Sequence, residues 1–274
     1  MSESKIDTVI PVEGWHVLHL FYRIEYGQWS LFSKEEQLAA KTNLSSLVQQ
    51  VRATDSTQLL IFSMVSPKAD IGFMLLTPDL QVANAMEKKL TQSLGPDVLN
   101  PVFSYLSMTE RSEYTTSEEE YHKLLVEQEG LSEDSEEMKW KLGEFRARME
   151  KYLSDRLYPN MPDWPVMCFY PMNKRRGEKR NWYSLGFEER KRLMSGHARI
   201  GRQWHGKIRQ LITGSAGLDD AEWGVTLFAH DTMHVKGIVY EMRFDAVSAE
   251  YADFGEFYIG LQLPLDELFR RIQL

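Results

Sequence analysis

The chain has 274 residues, 43% of them hydrophobic and 26% charged, with a formal net charge of −8 and a pI near 5.5. That is the balance of a globular protein long enough for one large or two small domains. It argues against general nucleic-acid binding, which needs a basic face, and no apolar run reaches the roughly eighteen residues of a membrane span. The N-terminus lacks the basic start and apolar core of a secretory leader, and the single cysteine, Cys168, forbids an internal disulfide and suits a reducing cytoplasm.

The first strand is predicted at 16–24, "HVLHLFYRI", which is apolar and rich in aromatic and β-branched residues. A helix over 33–53 opens with Ser33 and Glu36 in capping-box spacing and carries Leu38, Leu44, Leu47 and Val51 at roughly helical spacing. Strands at 58–65 and 70–77 flank the turn Ser66-Pro67-Lys68, followed by an amphipathic helix at 79–94 and a strand at 102–110. This is β-α-β-β-α-β, the order of a ferredoxin-like unit. Residues 115–159 are charge-rich with intermittent helical periodicity, which predicts a partly helical connector.

The order then returns: a strand at 167–174, a helix at 187–206, strands at 207–216 and 222–230, a helix at 231–244 and a strand at 252–263. The expected divisions are therefore 1–114, 115–159 and 160–274. The predicted class is α+β. Two such halves can join their sheets into one barrel-like domain with helices outside and a pocket between sheet and helix, and two separate domains fit the same order.

The chemistry concentrates in the second half. "CFYPMNKRRGEKRNWY", starting at Cys168, runs from an apolar strand into Lys174, Arg175, Arg176, Lys179 and Arg180, so the acidic chain gathers cations beside one aromatic strand. This is either a solvated loop or a face for something anionic. His197 lies on the helix 187–206 with Leu193, Ile200 and Trp204 on the same face. Such a histidine is most often a core residue bonded to a carbonyl. A lone neutral imidazole in an apolar setting is also what holds haem iron from one side. No H-E-x-x-H, cysteine pair, G-x-G-x-x-G, phosphate loop or G-x-S-x-G elbow occurs.

From Arg156 to Gly260, "FYPMNKRR", "NWYSL", "EERKRLMSGHARIGRQWHGKIRQLITGSAGLDDAEWGVTLF" and "KGIVYEMRFDAVSAEYADFGEFYIG" follow in an order that closely resembles the coproheme decarboxylases of the chlorite dismutase-like superfamily. The resemblance implies two ferredoxin-like halves forming a dimeric α+β barrel, a cytoplasmic homopentamer, and a place in haem biosynthesis. The implied reaction is the hydrogen-peroxide-dependent oxidative decarboxylation of iron coproporphyrin III (coproheme), as substrate, to haem b, with contact to the ferrochelatase that supplies it.

Carried over residue by residue, the resemblance makes Tyr170 the redox-active tyrosine and Lys174 the lysine that delivers a proton or holds a propionate. His197 becomes the iron ligand and Gln210 the glutamine on the opposite side of the iron. Arg156, Met172, Arg202 and Ser248 become residues around the porphyrin carboxylates or pocket wall. With the cations of 174–180 and Arg199, they would form a basic rim for four carboxylates. The chain departs from the family at Glu113, where relatives carry asparagine, and in a longer connector before Arg156. Two other functions fit the scaffold: a non-catalytic haem carrier or sensor, and chlorite dismutation, which is associated with an arginine at the position of Gln210. Arg209 is adjacent but alternates to the other strand face.

Overall fold

Each strand divides its side chains between two cores, so the strand order fixes what every residue faces. The computed structural model describes residues 7–274. β1 (His16–Ile24) pairs antiparallel with β3 (Ile71–Thr77) on one side and β4 (Leu99–Met108) on the other, and β2 (Gln58–Met64) continues the sheet beyond β3. A single turn, α1 (Tyr26–Trp29), precedes α2 (Lys34–Arg52), and α3 (Leu80–Gln92) joins β3 to β4. The capping box read in the sequence is present: the Ser33 hydroxyl accepts the Glu36 amide at 3.2 Å, and Glu36 accepts the Ser33 amide at 2.7 Å.

Glu110–Asn160 is a compact unit by itself, and Met1–Thr109 with Met161–Leu274 make the other. The smaller unit is a pair of helices, α4 (Glu118–Glu129) and α5 (Glu136–Leu157). Helix α4 ends at Gly130, whose φ of 67° is the left-handed conformation a glycine adopts without strain. The Tyr121 and Phe145 rings stack at 4.4 Å, and Arg146 pairs with Glu118. The predicted connector is thus more helical than its periodicity suggested. It buries Leu125, Met138 and Phe145 beside these aromatic and charged pairs.

In the larger unit, β5 (Val166–Lys174), α6 (Phe187–Gln203), β6 (Ile208–Gly214), β7 (Trp223–Ala229) and α7 (Thr232–Met242) repeat the earlier order. α8 (Ala246–Tyr251), β8 (Ala252–Phe254), β9 (Tyr258–Gln262) and α9 (Leu265–Arg271) complete the chain. The nine strands are ordered β7-β6-β4-β1-β3-β2-β9-β5-β8. Because β7 also pairs with β5, the ladders return on themselves. The joins between the repeats are short: β2 with β9, and Met108 opposite Gly214 between β4 and β6.

The single strand expected at 252–263 is two strands. β9 pairs with the first part of β5, Cys168 opposite Ile259, and β8 with its end, Met172 opposite Phe254. Gly255 makes the step between them. Its amide donates to the Pro171 carbonyl at 2.8 Å, and a Cβ there would stand 2.7 Å from Pro171 Cγ. The helix expected at 231–244 ends at Met242, and α8 follows because the Asp245 carboxylate caps the Val247 amide at 2.9 Å. Among the described residues no helix is long and apolar enough to cross a membrane.

Three apolar clusters result. One lies between the first four strands and α2 and α3, and it also takes Leu268 and Phe269 of α9 with Ile272 beyond it. An inner one joins the two repeats through Phe21, Phe62, Met74, Phe169, Phe228 and Tyr258. The third lies between the last strands and α7.

His19 is fully buried, stacks on Phe169 at 4.1 Å, and its Nε2 meets Thr226 Oγ1 at 2.9 Å, while Nδ1 has no hydrogen-bond partner among the described residues. Burial pulls its pKa from 6.5 to about 3, and His16 shifts in the same direction, chiefly by burial. A depressed histidine stabilises the fold fully above its unfolded value and loses that contribution as pH falls towards the folded value. Stability should therefore decline from pH 6.5 towards pH 3, by up to a few kcal/mol from His19 alone at about 1.4 kcal/mol per unit. Denaturant unfolding at several pH values checks this: a His19→Leu protein should give a flatter profile over that interval, and an equally steep one would refute the assignment.

Candidate active site

The repeated order lets equivalent helices be compared. α2, between the first and second strands of its repeat, buries Ala40, Leu44, Leu47, Val48 and Val51. α6 holds the same place in the second repeat and has no buried residue, although Leu193, His197 and Ile200 share one face. Beside that helix opens a cleft of about 270 Å³, lined by Arg192, Leu193, His197, Arg199, Ile200 and Asp245 among others.

His197 Nδ1 lies 3.0 Å from Asp245 Oδ2. A carboxylate only accepts, so Nδ1 carries the proton and Nε2 keeps its lone pair for a ligand. Asp245 is 7% exposed at its side chain. Burial opposes its charge, but hydrogen bonds from His197, Ser248 and the Val247 amide hold its pKa below the usual carboxylate value.

β5 supplies the second part. Tyr170, Met172 and Lys174 alternate onto its helix-facing side. Tyr170 stacks on Phe257 at 4.5 Å and leans on Phe254 at 5.7 Å; burial pushes its hydroxyl pKa up, and Cys168 adds to this while Arg243 opposes it. Lys174 is 8% exposed, and its Nζ stands 4.4 Å from the centre of the Trp182 ring. Among the described residues the ammonium has no hydrogen bond and no carboxylate within ion-pair range. Burial lowers its pKa to about 8, against the raising effect of Asp245 and Glu222.

The arginines of the basic run have local partners. Arg175 donates to Asp253 and to the carbonyls of Ala249 and Glu250, Arg180 pairs with Glu250, and Arg176 approaches Glu222 at 3.9 Å. Those acids lie far along the chain, out of reach of any local reading. Gln210 faces α6: a Cβ at Gly201 would stand 3.4 Å from its Nε2. Arg209 shares the opposite face with Leu211, which belongs to the inner cluster.

Arg202, in the last turn of α6, is exposed, and Ser248 is buried in the first turn of α8. Arg156 belongs to the 110–160 unit, where its Nε donates to the Glu110 carbonyl at 2.7 Å. The structure therefore connects His197 and Lys174 through their common neighbour Asp245 and sets Tyr170 and Met172 on the strand face of Lys174. Asp245, Trp182 and Glu222 were not singled out from the sequence. Asp245 alone left a local signal there, as a capping residue before "AVSAEY".

Together these features define an α+β protein with one antiparallel sheet and a histidine-bearing helix raised beside it. The family model described as chlorite dismutase matches residues 37–263. A structure described as a novel heme-binding protein from Thermus thermophilus is 34% identical, with 98% of this chain and 100% of that chain covered and a TM-score of 0.79. A variant of chlorite dismutase from Candidatus Nitrospira defluvii is 15% identical over 96% of this chain and 97% of that one, with a TM-score of 0.71. The same enzyme in complex with imidazole gives 14%, 96%, 97% and 0.71. At those identities the last two establish the fold alone. The chain belongs to the chlorite dismutase family.

Proposed function

We propose that this protein is a coproheme decarboxylase, converting iron coproporphyrin III to haem b with hydrogen peroxide and releasing two propionate carboxylates as carbon dioxide. The observation that carries the reading is Lys174, a buried ammonium over an indole ring with no ion pair among the described residues, on the strand face of Tyr170 and within the field of the carboxylate that holds His197. A buried cation with no carboxylate in direct contact among the described residues, only the more distant charges of Asp245 and Glu222, favours an anionic ligand. A helix whose apolar face is only half-buried favours a broad apolar one, and a porphyrin with carboxylate arms combines the two. The strand orders β4-β1-β3-β2 and β6-β7-β5-β9 support reading the halves as ferredoxin-like and their union as a dimeric α+β barrel. The haem-binding relative from Thermus thermophilus supports the ligand class. Assembly as a homopentamer in the cytoplasm, with transfer of substrate from a ferrochelatase, extends the same reading.

The residues fit such a ligand. His197 Nε2 would take the iron, with Asp245 fixing the tautomer and the ring plane. Gln210 would lie across from it. Lys174 would hold a propionate and supply a proton. Met172, Arg202 and Ser248 would complete the surroundings. The iron porphyrin, when bound, supplies the route by which peroxide accepts electrons. Tyr170 then loses its phenolic proton and an electron and takes hydrogen from a propionate β-carbon. Carbon dioxide leaves, and a vinyl group remains. Each vinyl formed releases two electrons, which one peroxide accepts as it becomes water.

The decisive experiment is chromatography of porphyrins after stoichiometric peroxide is added to protein carrying iron coproporphyrin III. Haem b is the expected product; its absence would end the decarboxylase reading in favour of a haem carrier. Chlorite dismutation remains the runner-up because the family carries that name, and oxygen release from chlorite tests it directly.

His197→Ala should weaken retention of the iron porphyrin by about tenfold or more, the scale seen when a metal's surroundings are altered. It should also change the ferric absorption spectrum, and added imidazole should restore it in part. A spectrum identical to wild type and indifferent to imidazole would remove His197 as the ligand.

A further inference from the structure

Glu222 stands just before β7, and its contacts converge on the end of β5. Its Oε2 accepts the Lys174 amide at 2.7 Å, its own amide donates to Asn173 Oδ1 at 2.9 Å, and its carbonyl accepts the Ser215 amide at 2.8 Å. Its side chain is 12% exposed, and its other oxygen lies 3.9 Å from the guanidinium of Arg176, which is 66% exposed. A largely buried carboxylate is thus spent on the backbone of the residue whose ammonium carries no ion pair among the described residues.

We propose that Glu222 is a positioning residue for Lys174: it ties down the strand end that aims the lysine and sets a fixed negative charge near its ammonium. The inference rests on the reading of Lys174 as the cation that meets a ligand carboxylate. Glu222 touches no ligand in this scheme and acts through Lys174 alone.

The groups facing Lys174 come from three directions. Trp182, in the turn Trp182–Ser184, covers the ammonium, and Tyr251 of α8 stands behind it at 5.5 Å between ring centres. Asp245 faces it from the start of α8 and Glu222 from the start of β7. Burial favours the neutral amine, and the two carboxylates oppose it. Asp245 is already committed to His197 and to the amides of α8. Glu222 is therefore the acid whose charge can be removed without disturbing the histidine. Glutamine at this position keeps an acceptor for the Lys174 amide while losing the charge; aspartate keeps the charge on a shorter arm.

The test uses the full chain without ligand. Reductive ¹³C-methylation labels the lysines, and Lys174→Arg identifies the Lys174 signal by its loss. In Glu222→Gln the Lys174 titration midpoint should fall by roughly half a pH unit or more, the size expected for a nearby partly buried charge. Glu222→Asp should restore most of it. Binding of zinc coproporphyrin III, followed by fluorescence, should lose its alkaline limb at a correspondingly lower pH in Glu222→Gln. An unchanged midpoint in folded Glu222→Gln overturns the inference, even where the wild type binds the porphyrin well. A shifted midpoint in a protein that fails to bind the porphyrin upholds Glu222 as the positioning residue and removes the proposed function instead.

Discussion

A Tyr170→Phe protein is expected to bind iron coproporphyrin III, consume peroxide and release no haem b. The tyrosine ring is held by Phe257 at 4.5 Å and Phe254 at 5.7 Å, contacts that phenylalanine keeps. What disappears is the oxygen that can give up both proton and electron. Loss of a group acting directly in the reaction should lower product formation by about 100-fold or more. Lys174→Ala should be milder, slowing turnover while leaving some haem b, because placement and proton delivery can be replaced in part by solvent. Chromatography after stoichiometric peroxide compares the three proteins. Vinyl groups formed by Tyr170→Phe at the wild-type rate would exclude the phenol as the hydrogen acceptor.

The largest effect on stability is expected at the C-terminal helix. Leu268 is fully buried and Phe269 is 6% exposed, and both pack in the core of the first repeat. Leu268→Ala should cost about 2–5 kcal/mol, the range for deleting a buried leucine. Arg271→Ala, which removes an exposed ion pair with Glu267 at 3.0 Å, should cost less than about 1 kcal/mol. Urea unfolding of the two variants decides this, and equal midpoints would show that α9 contributes little. Removing 265–274 altogether should leave no cooperative transition, since burial of a large apolar side chain is worth about 1.5–3 kcal/mol and three are lost together.

Local signals made much of the fold legible. The Ser33–Glu36 box set the start of α2, and short continuous apolar runs marked the central strands, because those signals lie within a few residues of one another. The step at Gly255 was hidden because its cause is Pro171 on another strand. Helix α9 was hidden for a similar reason: seven residues carry little periodicity, and their apolar members are explained only by a core built much earlier in the chain.

The site divides in the same way. Tyr170, Lys174 and His197 stood out through an ordered motif. The local partners of the basic run were not legible, because Arg175, Arg176 and Arg180 approach Asp253, Glu222 and Glu250 only after folding. Asp245, which links His197 to the surroundings of Lys174, has a local identity as a helix cap that gives no hint of its second task.

The pairing of β2 with β9 also bears on how the protein is made. On the ribosome β2 emerges well before β9, so until β9 follows, the outer edge of β2 lacks that partner and the core that α9 will cover lies open. An unpaired apolar edge invites pairing with a neighbouring nascent chain. The risk is greatest on crowded polysomes, where several copies of the first repeat wait together. Slower elongation should therefore raise the aggregated fraction, and a trigger-type chaperone that shields β2 should lower it, even though β9 pairs with β2 in the finished fold.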